Sequence, residues 1–302
     1  MSRHAGMSTN KSSILKPLVL GPALLFAATI FAEDSVALAD AAPRANGVSE
    51  PATVFLVDDQ TGEELAQKHG IRPIAIEDLD VLINGVVNGN TPVRLFHQAV
   101  DEDAADNATA QMEFRPYAGE KPVKKVAVNL PISELSEANK AYAAKRAVWQ
   151  KGVRDYQLRL ASEVEGFIRQ VTETQGSVSE RFDKMLLARK GRDFNRSDIY
   201  GSVANASRLL GTQGRRFLVL NTDAIDLPAK GKPRTTPLTA KELDPAVELI
   251  FVNTSRLPEQ APMFAGLPNP RHHANSMKEA MELVVELVTP KPGSEAATGE
   301  RK

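Results

Sequence analysis

The chain has 302 residues, a formal net charge of -1 and charged residues at 25%. That balance gives no bulk attraction to nucleic acid or to an anionic membrane surface, so any partner has to be read from local features. Cysteine is absent, which excludes disulfides and a lipid-anchored cysteine and leaves stability to core burial.

The first 39 residues read as an export signal. Arg3, His4, Lys11 and Lys16 give a basic start, residues 17–32 form an apolar stretch, and Val36-Ala37-Leu38-Ala39 places alanines at the minus three and minus one positions that a signal peptidase accepts. Cleavage is expected after Ala39, which exports the remainder, most simply to a bacterial periplasm. The competing reading is an uncleaved anchor over residues 14–32, close to spanning length. Lys16, Gly21 and Pro22 inside that stretch favour cleavage. Residues 40–51, rich in Ala, Pro, Gly and Ser, are expected to be a linker.

From residue 52 the pattern runs strand, helix, strand, strand, at 54–57, 76–87, 93–99 and 111–115, with Gly89-Asn90 and Asp106-Asn107 as turn signals. Ile76, Leu79, Ile83 and Val86 share one helical face. Residues 133–190 carry no strand signal. There Leu135, Ala138, Tyr142, Trp149, Val153, Tyr156, Leu160, Val164, Phe167 and Val171 recur at spacings of three, four and seven. Gln175-Gly176-Ser177 reads as a break before a second helix at 179–188, making a helical hairpin. The basic excess over 140–192 reads as a solvated helix surface rather than a nucleic-acid patch. Residues 217–220 and 249–252, like 54–57, are continuously apolar, as central strands of a parallel sheet covered on both faces must be. The ligand crevice of such a sheet lies at the carboxyl ends of its strands. A last helix is expected at 276–288, and a disordered tail over 289–302.

Four separated segments end or begin at that crevice: Val54-Phe55-Leu56-Val57-Asp58-Asp59-Gln60-Thr61-Gly62-Glu63, Asn195-Arg196-Ser197-Asp198-Ile199-Tyr200-Gly201-Ser202, Arg216-Phe217-Leu218-Val219-Leu220-Asn221-Thr222-Asp223, and Val247-Glu248-Leu249-Ile250-Phe251-Val252-Asn253-Thr254-Ser255. Their order resembles a von Willebrand factor type A domain over 52–288, and Ser197-Asp198-Ile199-Tyr200-Gly201-Ser202 is similar to the Thr-Asp-Ile-x-Gly-Ala loop of bacterial members. The resemblance implies a doubly wound, mostly parallel α/β fold, with 133–190 as an inserted helical hairpin. It also implies a metal-ion-dependent adhesion site that holds magnesium or manganese and leaves a position for an acidic group of a partner. Carried over by position, Asp59, Thr61, Ser197 and Asp223 would be the ligands. Glu63 stands where the family has a second serine, and Asp198 follows Ser197. A register starting at Asp58 would put Gln60 and Gly62 at the hydroxyl positions, so Asp59 is preferred. Magnesium, a hard ion wanting about six oxygens, suits these residue types.

The reading that follows is an exported module binding another protein or a peptide carboxylate, with no nucleic acid and no stable membrane insertion once processed. The alternatives are a metal-dependent hydrolase and a metal-free scaffold subunit of a cell-envelope or secretion assembly. Leu56-Val57-Asp58-Asp59-Gln60 also resembles the start of a response-regulator receiver domain, but the third strand lacks the matching aspartate. No nucleophile-elbow or Asp-x-Asp phosphatase motif anchors a catalytic triad. Arg271-His272-His273 reads as loop or cap, His69 and His97 stand alone, and the basic loop at 229–239 is a candidate partner contact beside the site.

Overall fold

The computed structural model describes residues 50–59, 72–101, 103–124, 131–188, 197–222, 234–252 and 262–289. The export signal with its cut after Ala39, nearly all of the linker and of the tail, and Thr61, Glu63, His69 and Asp223 lie outside the described residues. Among the described residues no helix is long and apolar enough to cross a membrane.

Six strands form one sheet. They are β1 (Ala52–Asp59), β2 (Val93–Val100), β3 (Thr109–Phe114), β4 (Arg216–Asn221), β5 (Val247–Val252) and β6 (Arg271–Ala274), and the order across the sheet is β3-β2-β1-β4-β5-β6. Only β3 runs antiparallel. The three apolar runs thus become neighbours near the middle, with β1 hydrogen-bonded to both β2 and β4, and β5 next to β4.

Alternation along β1 divides the core in two. Val54 and Leu56 join a cluster containing Leu79, Leu82 and Val86 of α1 (Ile76–Asn88), Leu160, Val164 and Phe167 of α2 (Ile132–Ala188), and Met281 and Val284 of α4 (Met277–Val288). Phe55 and Val57 join the other cluster, with Ile199, Val203 and Ala206 of α3 (Ile199–Leu210). Each fully buried aliphatic or Phe side chain contributes about 1.5–3 kcal/mol of transfer free energy. Continuous apolar strands therefore pay off only with helices on both faces.

Three helix starts follow local chemistry. Asp78, buried in the first turn of α1, accepts the Ala75 N–H at 2.9 Å and holds the Arg72 guanidinium at 2.6 Å; the bond to Asp78 raises the Arg72 pKa above its ordinary value. Asp198 caps α3 by accepting the Gly201 N–H at 2.7 Å, and Ser276 caps α4 by accepting the Glu279 N–H at 3.2 Å.

Two expectations are corrected. The region expected as a helical hairpin is a single 57-residue helix, α2, that continues through Gln175-Gly176-Ser177. Gly176 is exposed, and an exposed glycine costs a helix only about 1 kcal/mol relative to alanine. Val171 and Val178, one heptad apart on either side of it, are both buried against the fold and keep the helix in line. Second, Arg271-His272-His273 belongs to β6, a four-residue edge strand paired with β5; its short polar sequence has no apolar run to announce it.

Candidate site at the carboxyl ends of the central strands

β1 ends in two acids, and the pleat sends them to opposite faces. Asp59 points toward α3. Its Oδ1 accepts a hydrogen bond from Ser197 Oγ at 3.0 Å, and its Oδ2 accepts one from Thr222 Oγ1 at 2.8 Å. All three side chains are buried. They come from the end of β1, the residue beyond β4 and the segment leading into α3, so the cluster lies where the strand order turns from β1 toward β4, the usual place for a ligand in an open α/β sheet. The Asp198 N–H donates to the Asp101 carbonyl beyond β2 at 2.7 Å and fixes the α3 entry against the sheet.

Asp198 itself turns onto its own helix rather than toward Asp59. A Cβ at position 201 would stand 2.1 Å from Asp198 Oδ2, so the glycine makes room for the capping carboxylate.

Asp58 points to the α2 face and is fully buried. Its Oδ1 accepts from Asn221 Nδ2 at 2.8 Å, while its Oδ2 accepts from His97 Nε2 at 3.1 Å and from Gln175 Nε2 of α2 at 3.0 Å. The other His97 ring nitrogen, Nδ1, is buried and meets no hydrogen-bond partner among the described residues. Asn221 Nδ2 also donates to the Arg72 carbonyl at 3.0 Å.

Of the residues expected to form a metal site, Asp59 and Ser197 meet, Asp58 faces away from them, Asp198 serves as a cap, and Thr61, Glu63 and Asp223 lie outside the described residues. Sequence reasoning passed over Thr222, Asn221 and Gln175, and it read His97 as standing alone, whereas His97 bonds Asp58. Strand parity carries the signal for two of them: Asn221 continues the face of Phe217 and Val219, and Thr222 the opposite one. A histidine and a glutamine in the otherwise apolar end of β2 were the sign of His97; nothing local announces Gln175.

Asp59 with two hydroxyls is an oxygen-only donor set of the kind hard divalent cations take. Among the described residues, no group of three or more histidine, aspartate or glutamate side chains is placed to hold a metal ion.

The described part of the basic loop is tied to the fold. Arg234 pairs with Glu242 at 2.8 Å and lies over the Tyr200 ring at 4.5 Å, and the Tyr200 hydroxyl donates to Glu242 at 2.9 Å. Held first by Arg234 and then by the Thr239 N–H and hydroxyl, the Glu242 carboxyl is pulled down to about 2. Arg234 thus braces the loop against α3, whereas Lys230 and Lys232 lie outside the described residues.

No family model matches the chain, and no curated protein matches it.

Proposed function

We propose that this protein is an exported binding module with the doubly wound arrangement of a von Willebrand factor type A domain, and that it engages an acidic group of a partner protein at the Asp59 cluster. The observation that carries the reading is the meeting of Asp59, Ser197 and Thr222 at the carboxyl ends of β1 and β4, in a sheet ordered β3-β2-β1-β4-β5-β6 with one antiparallel edge. Asp59, Ser197 and Thr222 would hold magnesium or manganese, with Thr61 and Asp223 as the proposed remaining ligands. The cation would supply a positive centre for a partner carboxylate. The protein's own residues orient the cluster: Ser197 and Thr222 fix the Asp59 rotamer, and the Asp198 N–H anchors the α3 entry.

A metal-free scaffold is the second reading. It draws support from the same distances, since both Asp59 oxygens already accept hydroxyl hydrogens. A thermal melt with and without magnesium or manganese separates the two. A cation bound only by the folded chain at 100 times its Kd adds about 2.7 kcal/mol, and Asp59→Ala removes that gain. An unmoved wild-type melt at millimolar cation overturns the metal reading.

A further inference from the structure

We propose that the groove between the projecting N-terminal third of α2 and the chain at 117–124 is a docking site for an acidic, amphipathic helix of a partner protein, independent of the Asp59 cluster. Helix α2 has 57 residues, so it is about 85 Å long at 1.5 Å per residue, longer than the sheet can cover. Among its described side chains the first buried one is Val153; those described before it are exposed or half-buried. The groove they form has a volume of about 910 Å³ and is walled by Leu135, Tyr142, Val148 and Trp149 on the helix and by Tyr117 and Val123 opposite. Val148 and Val123 are 74% and 85% exposed, so apolar surface remains open along both walls. Leu135, Tyr142 and Trp149, spaced by seven, line up over roughly 21 Å of helix axis, about four turns of a partner helix.

Charge decides the occupant. From Ile132 to Arg154 the helix carries five basic side chains, Lys140, Lys145, Arg146, Lys151 and Arg154, against two acidic ones, Glu134 and Glu137, with Lys151 paired to Asp155, in a chain whose net charge is -1. Lys124 and Lys145 stand in the groove walls against a single acid there, Glu120. Lys121 lies 5.7 Å over the Trp149 ring, and the Trp149 N–H donates to the Gly119 carbonyl at 3.3 Å. The indole is therefore fixed as a wall and its face is taken, which disfavours stacking of nucleic-acid bases. A concave apolar channel with a basic rim matches an amphipathic helix whose apolar stripe enters the groove and whose acids meet the rim.

Trp149 is the only tryptophan, so its emission reports the groove directly. The full chain is titrated with a 21-residue synthetic helix of leucines at i, i+3, i+4 and i+7 and glutamates elsewhere, and with its lysine counterpart. The expected result is a saturable change in Trp149 emission for the glutamate peptide only. Lys124→Glu with Lys145→Glu should weaken it about tenfold, as two exposed attractive pairs become repulsive, and Val148→Asp should weaken it while leaving the far-ultraviolet circular dichroism unchanged. Equal binding of the lysine peptide, an unchanged affinity in the double variant, or a response confined to phosphatidylglycerol vesicles or to an oligonucleotide overturns the proposal.

Discussion

Replacing Asp58 with alanine should be among the costliest single changes in this fold. Among the described residues the carboxylate accepts hydrogen bonds from His97, Asn221 and Gln175, between 2.8 and 3.1 Å. Removing it strands His97 Nε2 in a site from which water is excluded, at about 1–3 kcal/mol for an unsatisfied buried donor. Asn221 keeps its bond to the Arg72 carbonyl, and half-buried Gln175 can turn to water, so these two add about 1–2 kcal/mol together. The expected total is about 2–5 kcal/mol, a large part of the 5–15 kcal/mol typical of a domain. Gln175→Ala, which leaves Asp58 its bonds from His97 and Asn221, should cost only about 0.5–1.5 kcal/mol. Urea unfolding followed by circular dichroism and by Trp149 emission gives both numbers from the midpoints at constant slope. A loss below about 1 kcal/mol for Asp58→Ala, or equal losses for the two variants, would refute the assignment of Asp58 as the hub.

Leu218→Ala, at a fully buried position of β4, should cost about 2–5 kcal/mol by the same measurement, and a change under 1 kcal/mol would contradict the two-sided core. Gly201→Ala drives a Cβ into Asp198 and should forfeit the α3 cap, about 1 kcal/mol; Asp198→Ala in the same background should then add little. The Glu242 carboxyl, ordinarily near 4.5, is lowered to about 2, so its contribution is complete above about pH 4.5 and fades as the pH falls toward 2. Carboxyl titration by NMR should place its midpoint well below 4.5, and a midpoint at the ordinary value would mean that the Arg234 bridge does not form.

The parts of this fold legible in the sequence are those where one physical demand dominates. Residues 54–57, 217–220 and 249–252 could only be buried strands, because no polar side chain interrupts them. The Asp198 helix start was equally open to reading, and so was the α1 face of Leu79, Ile83 and Val86, though Ile76, read as part of that face, is exposed. The continuity of α2 was not, since Gly176 looks the same in sequence whether it ends a helix or rides on its exposed side, and the burial of Val178 that decides the matter is a tertiary fact. The neighbours Asp58 and Asp59 posed a harder problem. A period of two says that they part, but which one meets Ser197 depends on which layer holds α3. Thr222 and Gln175 reach these acids from 163 and 117 residues away, a separation over which local patterns carry no information.

The outer strands of the described sheet limit how this protein can meet another. Strand addition needs a long, accessible edge with unpaired N–H and carbonyl groups. β6 offers four residues, with the His272 imidazole drawn back across β5 to Glu248 at 3.0 Å. β3 offers six, and beyond its end the Arg115 carbonyl is taken by the Tyr156 hydroxyl of α2 at 3.0 Å. Neither border gives a second sheet a long enough run to zip onto, so growth into a continuous intermolecular sheet is disfavoured. Recognition falls instead to side chains, on the loops at the strand ends and along the free length of the long helix, where specificity is written in charge and shape rather than in the backbone that every protein shares.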